Sequence, residues 1–243
     1  GCGCLGTCGF EKDAFYFYKS VWNQKEKFAY LCPHWNLKLE KGTVLPVICY
    51  TNCEDAELFV NGRSFGMKSK GFPCYGMTER YGHFDRYRRP ANTDDLFLSW
   101  DVPYEPGKIE VVGYHDGKEV CRYNVETTGE AAAIKLTVDK TSVDADGRSI
   151  VQAEVRIVDN EGRLVFDACP ELDFTLEGDA EIIGIDNGDP ACHEQWKETK
   201  GRHAFNGMAY AVIRAGQNKG ELKLTVTSSD NTLTNASVTI QVG

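Results

Sequence analysis

The fold class is most evident in one segment, Ile109-Glu-Val-Val-Gly-Tyr-His-Asp-Gly-Lys-Glu-Val-Cys-Arg-Tyr-Asn-Val125. β-Branched and aromatic side chains are frequent in residues 109–114 and 120–125, a composition that predicts two β-strands. Asp116-Gly117 lies between them, and an Asp-Gly pair is typical of the type I′ turn of a hairpin. The segment therefore predicts a β-hairpin.

The same pattern extends along the chain in both directions. It predicts further strands at residues 44–50, 56–60, 96–100, 134–138, 150–158, 172–176, 181–185, 209–214, 221–227 and 236–242. Turn pairs such as Asn61-Gly62 and Asn187-Gly188 separate them. About seven short strands in roughly 110 residues are typical of an immunoglobulin-like sandwich. The predicted fold class is therefore mainly β, with two tandem immunoglobulin-like β-sandwiches.

One short helix is predicted at residues 11–22, ahead of the strands. Asp13 is the expected N-cap, and Phe15, Tyr18 and Trp22 recur at helical spacing. This aromatic density predicts a large partner surface for the helix.

Charge and hydropathy exclude several classes of protein. The 243 residues have a formal net charge of −9, which disfavours a duplex nucleic-acid binder. Residues 1–128 carry 16 basic and 17 acidic side chains, whereas residues 129–243 carry 11 and 19. The shift coincides with Thr127-Thr128-Gly129-Glu130-Ala131-Ala132, a turn-like stretch that predicts a linker. No apolar run approaches the roughly 20 residues of a membrane span, and no secretory signal opens the sequence.

Several motifs, in this order, carry a resemblance to a known family. They are Cys8-Gly-Phe-Glu-Lys-Asp-Ala-Phe-Tyr-Phe-Tyr-Lys-Ser-Val-Trp22, Pro33-His-Trp-Asn36, Tyr50-Thr-Asn-Cys53, Glu57-Leu-Phe-Val-Asn-Gly-Arg-Ser-Phe-Gly66, Trp100-Asp-Val-Pro-Tyr-Glu-Pro-Gly107, Val112-Gly-Tyr-His-Asp-Gly-Lys118, Asn187-Gly-Asp-Pro190, His193-Glu194 and Arg202-His-Ala-Phe-Asn-Gly207. Together they resemble the C-terminal region of glycoside hydrolase family 2 enzymes, the β-galactosidase and β-glucuronidase group.

The resemblance implies a domain organisation and a partner. Residues 1–24 resemble the tail of the family's catalytic TIM barrel, including its last helix. Residues 25–128 and 129–243 resemble the two sandwiches that follow it. The expected partner is the upstream barrel of the same protein, with carbohydrate and a second copy of the chain as further candidates. The resemblance implies a bacterial protein that is periplasmic or secreted, as many relatives are; the cytoplasm stays open as an alternative.

The resemblance also implies what the chain lacks. The family cleaves with two glutamates on barrel strands that would precede residue 1, and neither motif occurs here. Retaining hydrolysis needs two carboxyls about 5–5.5 Å apart, and no such pair can be nominated. We therefore expect no catalytic residue, no cofactor and no metal.

The predicted function is a non-catalytic accessory region of a β-glycosidase, most like a β-galactosidase. It would brace the barrel and help shape the substrate cleft. An independent carbohydrate-binding module and a surface adhesin of tandem immunoglobulin-like domains are the alternatives.

The candidate carbohydrate-binding residues are Trp35, Tyr75, Tyr81, Arg86 and Tyr87. Four of them lie in residues 67–95, an irregular basic and aromatic stretch in an acidic protein. Aromatic faces stack on pyranose rings, and arginine donates to sugar hydroxyls. A surface that docks on the missing barrel is the favoured interpretation of this stretch, ahead of sugar binding, and a segment without fixed structure is the third. Trp35 is also expected at a structural seam, and Trp100 in the core.

Other polar motifs have structural interpretations. Asp186-Asn-Gly-Asp-Pro190 has too few oxygen ligands for calcium and predicts a tight turn. His193, Glu194, Arg202, Phe205 and Asn206 predict a polar network that holds a long loop. The ten cysteines lack paired C-x2-C spacing, so buried free thiols are favoured over a metal site. No serine or cysteine nucleophile motif accompanies the five histidines.

Overall fold

The computed structural model of the chain describes residues 3–23, 25–69, 96–197 and 201–243. It confirms the mainly β fold class. Helix α1 spans Asp13–Trp22. The strands are β1 (Ala29–Cys32), β2 (Val44–Thr51), β3 (Asp55–Val60), β4 (Arg63–Ser69), β5 (Leu98–Pro103), β6 (Lys108–His115), β7 (Lys118–Glu126), β8 (Ala133–Val138), β9 (Ser142–Val143), β10 (Ile150–Val158), β11 (Glu171–Glu177), β12 (Ala180–Asp186), β13 (Gly201–His203), β14 (Met208–Ala215), β15 (Gly220–Ser228) and β16 (Ala236–Val242).

The chain divides into two compact units. The first unit is Glu11–Thr127. The second unit is Thr128–Gly243 together with residues 3–10, which lie at the other end of the sequence. The residues expected to form a barrel tail, 1–24, are thus shared between the units. Their assignment to a catalytic barrel stays a prediction.

The first unit consists of two sheets around one core. One sheet has the strand order β1-β2-β5, and the other has the order β4-β3-β6-β7. Strand β6 pairs antiparallel with β7, and Asp116 and Gly117 between them have φ values of 49° and 71°. A type I′ turn requires positive φ at both central residues, so the predicted hairpin is confirmed. Trp100 lies in the core, as expected.

The second unit repeats the architecture with a more aliphatic core. Its sheets have the orders β12-β14-β10-β8 and β13-β11-β15-β16-β9. Alternate residues of β10 and β14, among them Val151, Val155 and Ile213, are fully buried in the cluster between the sheets. The opposite face of these two strands carries polar and aromatic side chains toward solvent, and this face positions the cleft described below.

Helix α1 begins one residue differently from the prediction. Asp13 is its first helical residue, and Lys12 occupies the N-cap position without a side-chain cap. The Asp13 carboxylate instead accepts a hydrogen bond of 2.8 Å from the hydroxyl of Tyr30 in β1. The rings of Tyr16 and Tyr30 stack with centroids 3.6 Å apart. Tertiary packing on the sheet therefore outweighs the local capping preference.

No helix in the described ranges is long and apolar enough to cross a membrane.

Candidate functional site

Trp35 is a core residue of the first unit. Its side chain is 0% exposed, and its indole N–H donates to the carbonyl of Glu105 at 2.9 Å. Its ring packs edge-on against Tyr104, with centroids 5.2 Å apart. A fully buried ring has no face for a sugar, so the structure corrects the carbohydrate-binding prediction for Trp35 and supports the structural alternative.

The other four candidate carbohydrate-binding residues, Tyr75, Tyr81, Arg86 and Tyr87, lie outside the described residues. Their role stays a prediction.

A buried arginine organises the long loop of the second unit. Arg202 in β13 is 3% exposed. Its guanidinium donates to the Glu194 carbonyl at 2.8 Å and to Asp186 Oδ1 at 3.1 Å. Glu194 in turn lies 2.6 Å from His203 Nδ1. The predicted polar network therefore exists for Arg202 and Glu194, and Asp186 and His203 are members that sequence reasoning missed. Among the contacts of the described residues, none joins the other predicted members, His193, Phe205 and Asn206, to this network.

The turn after β12 is structural, as predicted. Asp186 Oδ1 accepts from the N–H of Asn187 at 2.8 Å, and Gly188 has a φ of 77°. Asp189 Oδ1 accepts from the N–H of Ala191 at 2.9 Å. These carboxylates are occupied by the turn itself.

The N-terminal segment, residues 3–10, packs against this turn. Thr7 Oγ1 donates to Asp186 Oδ2 at 2.9 Å. Phe10 meets Tyr210 edge-on at 6.0 Å, and a Cβ added to Gly188 would lie 3.4 Å from the Phe10 ring. Sequence reasoning missed this contact because it joins residues about 180 positions apart.

A cleft opens where the segment, the turn and the sheet meet. We call it the Trp196 cleft; its main lining residues are Thr7, Gln152, Gly184, Asp186, Trp196 and Tyr210. Its volume is about 490 Å³, within the range of about 300–1,000 Å³ of ligand pockets. Gln152 and Tyr210 come from the solvent face of β10 and β14, where alternation alone gives no sign of a site.

Trp196 is held in place although the residue is 56% exposed. The carbonyl of Trp196 accepts from the N–H of Ile185 at 2.8 Å. Its ring lies over Gly184, where an added Cβ would be only 3.2 Å from Trp196 Cε3. Glycine at position 184, next to a bulge in the β12–β14 pairing, therefore makes room for the ring.

The carboxyls beside the cleft are held ionised. Partial burial opposes ionisation of Asp186, but hydrogen bonds from the Asn187 N–H and Thr7 outweigh it and lower its pKa. Glu194 shows the same balance, with His203 supplying the main hydrogen bond that lowers its pKa. A glycosidase acid needs a raised carboxyl pKa, so neither group is suited to proton donation. Burial and the nearby Asp186 raise the pKa of the Cys8 thiol to about 12, so this thiol stays protonated.

One group in the first unit has metal-binding residue types. Ligand atoms of Glu54, His115 and Asp116 lie within 4.8 Å of one another. Glu54 already accepts from the Asp116 N–H at 3.0 Å and lies 3.2 Å from His115 Nδ1. These contacts account for the group as part of the hairpin turn.

The cysteines that the structure describes are free thiols. Cys32, Cys49 and Cys53 are buried, in line with the prediction, whereas Cys169 is exposed. The Sγ atoms of Cys53 and Cys121 lie 3.4 Å apart.

Helix α1 presents an apolar face to solvent. Trp22 is 73% exposed, and Tyr18 and Val21 beside it are also exposed. The rings of Tyr18 and Trp22 contact each other at 4.8 Å between centroids. Clustered exposed apolar side chains mark interaction surfaces. The sequence prediction that this face meets a partner therefore has a structural basis in the exposed pair.

The architecture and the anchored loop define a class of protein: tandem β-sandwich modules without an evident catalytic carboxyl pair in the described ranges. Known proteins refine this class. Residues 134–239 match glycoside hydrolase family 2 C-terminal domain 5, and residues 42–121 match a domain of unknown function, DUF4982.

Relatives agree with this assignment. A beta-galactosidase of Bacteroides ovatus is 35% identical over 227 residues, which are 93% of this chain and 24% of that protein. A beta-glucuronidase of Formosa agariphila is 31% identical over 70% of this chain and 15% of its own length. The crystal structure of a beta-glycosidase from Bacteroides vulgatus superposes with a TM-score of 0.82 at 29% identity, covering 99% of this chain and 28% of that one.

The chain is therefore a C-terminal region of glycoside hydrolase family 2. It spans about a quarter of the length of the B. ovatus relative.

Proposed function

We propose that the chain is a non-catalytic accessory region of a family 2 β-glycosidase and that it braces the catalytic barrel of the same protein. The observation that carries the proposal is coverage: 93% of the chain aligns with only 24% of a beta-galactosidase. The remaining three quarters of such a protein leave room for a catalytic domain. The parent protein would hydrolyse O-glycosidic bonds, with β-galactosides as the first substrates to test.

The apolar face of helix α1 is the proposed contact with the barrel. Tyr18, Val21 and Trp22 are exposed in this chain. Burying them against the barrel would contribute about 25 cal/mol of stabilisation for each Å² of apolar surface removed from water. The helix itself is fixed on the first unit by the Tyr16–Tyr30 stack. It can therefore transmit rigidity to a domain that covers its outer face.

The lowered pKa values of Asp186 and Glu194 support the non-catalytic part of the proposal. Both carboxylates are engaged by Arg202, whose guanidinium is buried. Their role is to hold the loop of the second unit.

The test uses the parent protein with Trp22→Ser. Loss of the contact should lower the temperature of half-inactivation by several degrees while kcat/KM toward nitrophenyl β-galactoside at 25 °C stays within twofold. Val120→Ser is the matched control, because Val120 is an exposed apolar residue on β7, away from the helix face. Equal inactivation temperatures for wild type and Trp22→Ser would contradict the bracing role.

A further inference from the structure

We propose that the Trp196 cleft binds a neutral pyranose ring and so adds a saccharide-binding subsite to the second unit. This subsite rests on the proposed accessory function, to which it adds a ligand class, and it is inferred from the geometry of the cleft.

The ring of Trp196 supplies the apolar surface. Trp196 is 56% exposed, yet its backbone is fixed by the 2.8 Å hydrogen bond from Ile185 and its ring is seated over Gly184. Single exposed apolar side chains are ordinary on protein surfaces, but this ring borders a cleft that polar side chains also line. The C–H face of a pyranose is a flat apolar surface of matching size, and aromatic rings favour such stacking.

Polar groups surround the ring as sugar hydroxyls require. The Tyr210 hydroxyl donates to Gln152 Oε1. This orients the Gln152 amide, whose Nε2 has no partner among the residues that the structure describes. Asp186 accepts hydrogen bonds on both carboxylate oxygens and stays ionised. The Gln152 amide and the Tyr210 hydroxyl thus offer a donor and an acceptor beside the ring, and a sugar hydroxyl can use both.

The charges at the cleft favour a neutral sugar over a uronate. Asp186 is the carboxylate of the lining, and the Arg202 guanidinium that pairs with it is buried and already bonded. Uronate recognition uses free arginine or lysine. Among the described residues, the Lys197 ammonium lies 5.0 Å from the Trp196 ring centroid in an exposed cation–π contact, which a stacked sugar would displace.

The experiment is a titration of the 243-residue chain with methyl 1-thio-β-D-galactoside, followed by the indole N–H signals of its tryptophans. A thioglycoside resists hydrolysis, so the result does not depend on whether the chain or its parent is an enzyme. The four tryptophans are distinguishable, since Trp35 and Trp100 are buried and donate to backbone carbonyls. Trp22 is the exposed tryptophan of the first unit and serves as the internal control.

We expect the Trp196 signal alone to shift, with a dissociation constant in the millimolar range. Trp196→Ala should weaken binding at least tenfold, measured by saturation transfer from protein to ligand. Gly184→Ala, which pushes against the ring without removing it, should weaken binding several-fold. Trp22→Ala should leave the affinity unchanged.

Three results would overturn the proposal. The first is an absence of binding at 100 mM thioglycoside; the second is equal binding by Trp196→Ala. The third is a thioglucuronide that binds as tightly as the thiogalactoside, which would contradict the neutral-sugar assignment. If the cleft instead met only the parent catalytic domain, Trp196→Ala would lower the inactivation temperature of the parent and no saccharide would bind. Each of these results leaves the accessory role of the chain standing, because that role is tested through Trp22.

Discussion

The two units share one architecture and differ in what fixes their loops. In the first unit, the buried polar side chains among the described residues, Ser20 and Thr51, carry no charge. Its loops are fixed by aromatic rings, with Trp35 and Tyr104 in contact under the sheet. In this unit, shape complementarity determines the fold.

In the second unit, buried charges have this role. The described buried residues include Asp159 and Arg202, and the core around them is aliphatic apart from Phe174. Asp159 accepts hydrogen bonds from the N–H groups of Gly129, Glu161 and Arg163. Two similar sandwiches can therefore depend on different residues for their stability at low pH and after side-chain truncation.

The surfaces differ in the same sense. Most exposed large apolar side chains of the described ranges belong to the first unit, and Trp22 is the most exposed of them. In the second unit the exposed ones are Leu5 and Trp196. The first unit therefore presents the proposed docking face, whereas the second presents the Trp196 cleft.

The largest expected effect is a loss of stability of the first unit when its aromatic core is disrupted. Trp35→Ala should lower the free energy of unfolding by about 4 kcal/mol, because it removes a fully buried indole and leaves a cavity. Hydrogen exchange resolved by peptide would show the loss of protection in β2 and β5. Trp22→Ala, an exposed control, should cost less than about 0.5 kcal/mol. A cost below about 1 kcal/mol for Trp35→Ala would contradict the aromatic account.

The next largest effect is a loss of stability of the second unit when its buried arginine is replaced. Arg202→Met keeps the aliphatic stem but removes the buried cation between Asp186 and Glu194. Both carboxylates are about one-third exposed and Glu194 keeps its contact with His203, so we expect a loss of about 2.5 kcal/mol in chemical denaturation, below that for an unpaired buried charge. Arg148→Met, at an exposed position of the same unit, should change stability by less than about 0.5 kcal/mol. Equal effects of the two variants would show that the Arg202 clamp is dispensable.

A smaller effect sharpens the difference in acid sensitivity. Hydrogen bonds from Arg163 and from backbone N–H groups overcome the cost of burying Asp159 and lower its pKa from 3.8 to about 2. Because the folded-state pKa is lowered, the stabilisation is complete above about pH 4 and is lost as the pH falls toward 2.

Asp159→Asn should therefore cost about 2 kcal/mol at pH 7 and almost nothing at pH 2. Denaturation midpoints at several pH values measure this convergence. A difference between wild type and variant that stays constant from pH 7 to pH 2 would refute the assigned role of Asp159.

The smallest effect on stability concerns the docking face. Trp22→Ser should leave the unfolding free energy within about 0.5 kcal/mol. Because exposed apolar clusters favour association, we expect the isolated chain to self-associate through the helix α1 face and Trp22→Ser to weaken this association at least threefold in sedimentation experiments. Trp196→Ser should leave self-association unchanged, because this tryptophan belongs to the cleft. If both substitutions reduced association equally, the distinction between the two surfaces would fail.

The sequence predicted the sandwiches because their strands combine two-residue alternation with explicit turn pairs. Residues 150–158 and 236–242 were predicted with the bounds that β10 and β16 have. Strand β4 was missed because it is almost entirely exposed and Phe65 and Met67 are its two large apolar residues, too few to establish a two-residue period. Strands β9 and β13 are edge strands of two and three residues, too short for a pattern.

The candidate site was less predictable than the fold. The clamp between Arg202 and Glu194 was foreseeable from polar residues clustered in one loop. The Trp196 cleft was not, because Thr7, Gln152 and Tyr210 reach it from three distant parts of the sequence. Carbohydrate binding by Trp35 was a wrong prediction, because a tryptophan ahead of a strand has the same sequence signature whether it binds a sugar or fills a core.

The most direct test of the central claim is an activity assay of the chain itself. The 243-residue chain is incubated with nitrophenyl β-galactoside beside the parent protein at equal molar concentration. The account predicts turnover by the parent and none above the buffer rate by the chain. Saturable hydrolysis by the chain that is abolished by Asp186→Asn or Glu194→Gln would contradict the account, because it would make those carboxylates catalytic.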